Sequence, residues 1–287
     1  MPSPHLSGVL LLVTAMGGFS LSDALVQYAG AGLPPPQLAW LRYSVLLLTV
    51  VPLLVRQPGL WRAKRPWVQA GRALGLVGSA VLFLQGLQSL PIADATALVF
   101  ASPLYVTVLS ILVLREPFSV ARSLPVLIGF AGVLIIAQPG KAQFDPAVLF
   151  PMASSLAWAV AVICTRLLGN ADSVATTMLY SSAFGVLVLS PPNGAEQLAA
   201  IATHWPALLA MAAFWCGAQW LVVLAYRLAP PASIAPFSYS QLLWAALLGW
   251  ALFGHLPSER TSLGMGFILF SGCLAAWMAQ RHTTISQ

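Results

Sequence analysis

Two charged side chains stand inside long apolar runs: Asp23 within residues 6–29 and Arg42 within residues 36–55. Counted at 1.5 Å per residue, they lie about 10 Å and about 9 Å from the outer ends of their runs, at matching depth. A lone charge there is costly in lipid, so opposite charges on consecutive antiparallel segments predict an ion pair. The chemical alternative is that Asp23 binds a proton or a substrate ammonium, or that Arg42 holds a substrate carboxylate.

A second group is aromatic and weakly polar. Residues 92–114 offer Ser102 and Tyr105, and residues 232–254 offer Phe237, Gln241 and Trp244 at i, i+4 and i+7 on one helical face, with Tyr239 nearby. Trp215, Gln219 and Trp220 fall in 206–228, Ser154, Ser155 and Trp158 in 146–168, and Gln85 in 68–88. Together they predict a site for a ligand with a large apolar body and few hydrogen-bonding groups. Any one of these aromatics could equally pack between helices or sit at a membrane interface. Pro103, at mid-span, predicts a kink that frees the Val99 carbonyl. Pro236 lies in the first turns of its run, where proline is better tolerated, so helix shaping and gating both stay open. Gly71 and Gly75 have the spacing that lets a neighbouring helix approach closely.

Other chemistry is not indicated. There is no Gly-x-x-x-x-Gly-Lys-Ser/Thr loop, so ATP is not expected to drive the protein directly. His5, His204, His255 and His282 fall in tails or connectors and suggest no metal ligand and no nucleophile with its base. Neither a catalytic residue nor a cofactor is expected. Asp94 and Glu116 lie at helix ends, where capping or solvation accounts for them. Asp23 is then the one candidate proton carrier, and proton antiport and facilitated exit down a gradient both remain readings. An enzyme acting on lipids would need acids or histidines clustered at an interface, and the seven acidic residues are scattered.

The elements that must position these groups are membrane spans. Of 287 residues, 59% are hydrophobic and only 7% charged, with a mean hydropathy of +0.86. That much apolar surface cannot be hidden in one core, which excludes a soluble domain, a disordered chain and a nucleic-acid binder. Ten runs approach the length a bilayer demands: 6–29, 36–55, 68–88, 92–114, 122–138, 146–168, 175–191, 206–228, 232–254 and 261–280. The connectors are short and rich in Pro and Gly, and the first run is read as a retained helix rather than a signal peptide. Cys164, Cys216 and Cys273 fall in apolar runs and imply no disulfide. With both termini cytoplasmic, Arg56, Arg62, Lys64, Arg65, Arg72, Arg115, Arg122, Arg166, Arg227 and Arg281 collect on the cytoplasmic side, leaving Lys141 and Arg260 opposite.

Set against itself at an offset of 140 residues, the chain pairs Pro91 with Pro231, Ala95 with Ala235, Pro117 with Pro257 and Gly132 with Gly272. Five runs fall in each half, residues 1–140 and 141–287, so the second half enters the membrane from the opposite side. The expected fold is all-α and integral to the membrane, ten transmembrane helices built as two inverted five-helix repeats. Such repeats supply two near-equivalent packings around a central site, the basis of alternating-access transport. A receptor or non-transporting subunit would need no such symmetry.

Several motifs then converge: Leu41-Arg42-Tyr43, Leu114-Arg115-Glu116-Pro117, Gly129-Phe130-Ala131-Gly132 and Ala157-Trp158-Ala159. On these the chain resembles the drug/metabolite transporter superfamily of the EamA type, over its whole length. It departs from the pattern at Gly254-His255-Leu256-Pro257, where the family often has an acidic residue. Within the superfamily it looks most similar to the YddG-type aromatic amino-acid exporters. The resemblance implies a multi-pass protein of the bacterial inner membrane that exports small metabolites, amino acids with apolar or aromatic side chains first, and drugs, nucleosides or sugars otherwise. In that reading Trp158, Gln219, Tyr239, Gln241, Trp244, Ser102, Tyr105 and Gln85 line the cavity, and Asp23 and Arg42 fix its outer rim.

Overall fold

A computed structural model describes residues 4–30, 32–115, 120–139, 145–169, 171–189, 191, 193–228 and 234–285. Glu116, Pro117, Lys141 and Pro231 lie outside the described residues. The architecture is all-helical. Helices α1 (Pro4–Ala29), α2 (Pro35–Arg56) and α3 (Pro66–Ser89) are followed by a broken span, α4 (Ile92–Val99) and α5 (Ser102–Leu114). Then come α6 (Val120–Ala137), α7 (Leu149–Leu168), α8 (Val174–Val188) and α9 (Ala195–Leu228). A short 3-10 helix (Ala235–Tyr239) leads into α10 (Ser240–Phe253), and α11 (Glu259–Ile285) closes the chain. With α4 and α5 counted as one, these are the ten spans. Proline sets several starts, at the first positions of α2 and α3, where its missing N–H costs no helical bond. The Ser173 hydroxyl caps α8 by accepting from the Thr176 N–H at 3.1 Å.

Three runs differ from the sequence expectation. The span 92–114 is interrupted at Phe100 and Ala101, whose N–H groups bond three residues back, to Ala97 and Leu98. Pro103 sits in the first turn of α5 rather than mid-helix, so the disruption it demands lies just before it. The run 232–254 opens as a 3-10 helix rather than an α-helix, and Pro236 lies in its first turn, at the start of the run as expected. The span expected at 206–228 begins at Ala195, because α9 continues across a kink at His204 (φ −117°, ψ 16°) that Pro206 imposes two residues later.

The packing obeys a two-fold exchange of halves. Helix α1 runs along α9 as α7 runs along α3; α1 meets α10 as α7 meets α5; α2 packs on α8, α6 on α11, and α4 on α10. Burial places the repeat at 139 residues: Leu12 and Pro151, Ala15 and Ser154, Ser20 and Ala159, Ala73 and Ala212, and Ser79 and Ala218 are all buried pairs. The left-handed residues that end α5 and α10, Arg115 (φ 55°) and Gly254 (φ 68°), keep the same spacing. This corrects the offset of 140. Four matched Pro, Ala and Gly pairs do not resolve a one-residue slip, whereas in a helix such a slip turns a buried face by about 100°.

Gly75 shows how closely the halves approach. A Cβ there would stand 2.8 Å from the Ala157 carbonyl oxygen and 3.0 Å from the Ala161 nitrogen, both backbone atoms of α7. Gly71, one turn earlier, would meet only the Cys164 sulfur at 3.4 Å. Gly75→Val should therefore lower stability by about 1–3 kcal/mol through overpacking. Gly217→Ala, where an added Cβ meets nothing within 4 Å, should leave the melting temperature near that of the parent, and equal melting of the two variants would refute the close-approach role.

Candidate functional site

The two broken spans meet where the halves cross. Phe100, which caps α4, and Tyr239, which ends the 3-10 helix, stack with ring centroids 4.9 Å apart and planes 23° apart. They occupy equivalent positions in the 139-residue repeat, as do Ser102 with Gln241 and Tyr105 with Trp244. Of the sequence candidates the structure brings Tyr239 to this contact, and its partner is Phe100, which the sequence reading missed. A phenylalanine just before an alanine, a serine and a proline carries no signal unless the repeat register is known. The hydroxyls of Thr96 and Ser240 are buried and have no hydrogen-bond partner among the described residues, which is costly unless something polar reaches them.

Trp158 stands on α7. It is 42% exposed, yet it projects about 180° around the helix from Leu149, Val160 and Leu167, whose exposed side chains mark the lipid face. Its exposure is therefore toward the interior. On α9, Trp215 lies about 180° around the helix from Leu224, whose side chain is exposed, and Gln219 lies one turn on from Trp215. Trp215 meets Tyr43 edge to face at 5.4 Å. The Gln219 amide has no hydrogen-bond partner among the described residues, and neither does the Gln241 side chain. Such amides offer both donors and acceptors.

Other candidates serve the frame. The Trp244 indole lies against Gly17, 3.2 Å from where a Cβ would be, and donates to the Val13 carbonyl at 3.2 Å, so it fastens α10 to α1. Trp220 donates to Thr49 Oγ1 at 3.1 Å. Ser154 and Ser79 hydroxyls meet at 2.9 Å between α7 and α3, and Ser155 donates back to the Met152 carbonyl at 2.7 Å. Tyr105 is half-buried against the core. Gln85 is not brought into the group: it shares its face of α3 with Trp67 and Leu74, which are exposed, because spacings of 18 and 11 residues return to the same side of a helix.

Asp23 and Arg42 are both buried, with Arg42 Nη2 donating to Asp23 Oδ1 at 3.0 Å and to Ser22 Oγ at 2.8 Å. Ser22 Oγ in turn donates a hydrogen bond to the Met211 carbonyl at 2.8 Å, so the charged pair joins α1, α2 and α9. One turn above Asp23, Gln27 borders a cavity of about 840 Å³ between the ends of α1, α3 and α10 and the starts of α2 and α4. Gln27 donates to the Leu87 and Leu90 carbonyls, and Gln88 to that of Leu33. His255 stands at the same mouth. These three were not foreseen as lining, since polar residues at helix ends look like interfacial caps.

A family model described as the EamA-like transporter family matches twice, over residues 6–138 and 145–277. A riboflavin transporter of Vibrio cholerae is 30% identical over 98% of this chain and 96% of its own length. One of Rhizobium johnstonii is 31% identical over 93% and 90%. An S-adenosylmethionine uptake transporter of Rickettsia prowazekii is 21% identical over 92% and 90%. These relatives share small-metabolite transport and differ in substrate. With both halves matched by one family model and the spans arranged as two exchanged halves, the chain belongs to the EamA-like transporter family.

Proposed function

We propose that the protein moves a flat aromatic metabolite of the flavin class across the bacterial inner membrane, by alternating access between residues 1–140 and 141–287. The carrying observation is the Phe100–Tyr239 stack on the pseudo-axis; the inward Trp158 and the amides of Gln219 and Gln241, which have no hydrogen-bond partner among the described residues, support it. A tricyclic ring system presents two apolar faces to such aromatics and one edge of alternating donors and acceptors to such amides. Two riboflavin transporters among the relatives support this substrate over an amino acid, which would bring an ammonium and a carboxylate. The end of the bundle carrying Arg65 and Arg72 is assigned to the cytoplasm, with both termini, by its surplus of basic residues. The pairing of Asp23 with Arg42 favours a structural role for both, and with it movement down the substrate's own gradient rather than proton antiport.

Counterflow into proteoliposomes tests the reading. Vesicles preloaded with unlabelled riboflavin and offered a labelled trace should accumulate label without a pH gradient, above protein-free vesicles. Accumulation of phenylalanine, tryptophan or threonine, but not riboflavin, would replace the flavin reading with amino-acid transport. Accumulation that requires an imposed proton gradient would overturn the uncoupled mechanism.

A further inference from the structure

The two helix junctions exchanged by the repeat are unequally charged. At the first, α1, α2 and α9 meet around Arg42 and Asp23. At the second, α7, α8 and α3 meet around Arg72, which donates from Nε to Thr165 Oγ1 at 2.8 Å and from Nη1 to Ser181 Oγ at 2.5 Å. Both hydroxyls already give their protons to backbone carbonyls, Thr165 to Ala161 and Ser181 to Thr177, each at 2.8 Å. They offer Arg72 lone pairs and no charge.

In the 139-residue register Ser181 stands where Arg42 does, and Val162 stands where Asp23 does. The second junction has a cation, supplied by α3, and an aliphatic side chain in place of the acid. Asp172, on the neighbouring turn before α8, is occupied by the Lys64 backbone N–H at 2.8 Å and by Gln69 Nε2 at 2.9 Å, and Arg72 makes no ion pair among the described residues. Its Nη2 carries no hydrogen bond among them either, and the side chain is half-buried. Two nitrogens are pinned and a third is presented, about 9 Å along α3 from Pro66.

A cation held about 9 Å inside the basic end of α3 with hydroxyls for partners and no carboxylate is a candidate functional site, and a pinned guanidinium is suited to carboxylate and phosphate oxygens. We propose that the α3–α7–α8 junction is an oxyanion site, with Arg72 Nη2 as its donor. The oxyanion is borne either by a solute that enters the bundle or by the phosphodiester of a lipid headgroup. The site does not depend on the flavin reading, and either outcome of riboflavin counterflow leaves it standing.

Melting of the purified full-length protein tests it. In neutral detergent, inorganic phosphate or acetate should raise the melting temperature saturably by about 2–4 °C over chloride at matched ionic strength. Arg72→Gln should abolish the rise and Arg72→Lys should keep part of it. In nanodiscs, a rise on replacing phosphatidylcholine with phosphatidylglycerol, with no response to the free anions, assigns the oxyanion to lipid. A rise that persists in Arg72→Gln, or no rise in either arm, overturns the site. Should Arg72→Gln fail to fold, Val162→Asp decides: it supplies the missing acid and should raise the melting temperature in chloride while abolishing the anion response. An anion response unchanged in Val162→Asp also overturns the proposal.

Discussion

Arg42→Met is expected to destabilise the protein by about 3–5 kcal/mol, because it leaves the Asp23 carboxylate buried without its partner. Asp23→Leu should cost a similar amount, for the same reason with the sign reversed. The pair stands at 3.0 Å with both side chains almost fully covered, and Arg42 also holds Ser22, which in turn fastens Met211 of α9. Removing both charges together is a different experiment. Asp23→Leu with Arg42→Met removes the attraction and both desolvation costs at once, so the double variant should recover most of the stability lost by either single one. The measurement is the unfolding midpoint of each purified variant, with its counterflow rate per folded molecule. A substrate-binding or proton-carrying role predicts a double variant that is folded and inactive. A structural role predicts one that is folded and still transports. Single variants as stable as the parent would show that the pair does not hold α1 to α2 and α9.

How much of this was legible in the sequence divides along the physics. Apolar length is a strong signal in lipid, so the ten spans could be read with most ends within a few residues. The Asp23–Arg42 pairing was readable because depth along two consecutive helices can be counted and isolated charges there need partners. What depended on rotation about a helix axis was less accessible. The offset of 140 rested on four pairs of Pro, Ala and Gly, residue types too frequent in this chain to fix a register to one residue, while the buried positions repeat at 139. Gln85, too, looked like a lining residue from its depth but lies on the outward face of α3. Trp158 and Trp244 look alike in sequence; in the structure Trp158 is turned away from the exposed face of α7, while Trp244 donates to the Val13 carbonyl. The first ten residues of α9 went unread because Ala195–His204 precedes a proline, a pattern that reads as a helix start at Pro206 rather than a kink.

The second large effect belongs to the stacked pair at the pseudo-axis. Phe100→Ala and Tyr239→Ala should each lower the initial counterflow rate at least about tenfold if the proposed site is the transport site, since an aromatic pair contributes about 0.5–1.5 kcal/mol beyond the area it buries and in that reading each ring is also a platform for the ligand. Tyr239 additionally fills the space over Gly272 on α11, where a Cβ would come within 2.6 Å of its ring, so part of the loss in Tyr239→Ala will be packing. Tyr239→Phe separates the terms: it keeps the ring, the stack and the contact with Gly272, and should retain most of the rate. Because both alanine variants break one interaction, the double variant should be little slower than the slower single one. Multiplicative loss in the double variant would mean that the rings act independently, and rates within about twofold of the parent in both single variants would remove the pseudo-axis from the transport path. The pair is informative because each half contributes one ring from the same repeat position. A rearrangement that exchanges the packings of the two halves must move both rings, so a substrate that stacks on them is held where the halves turn against each other.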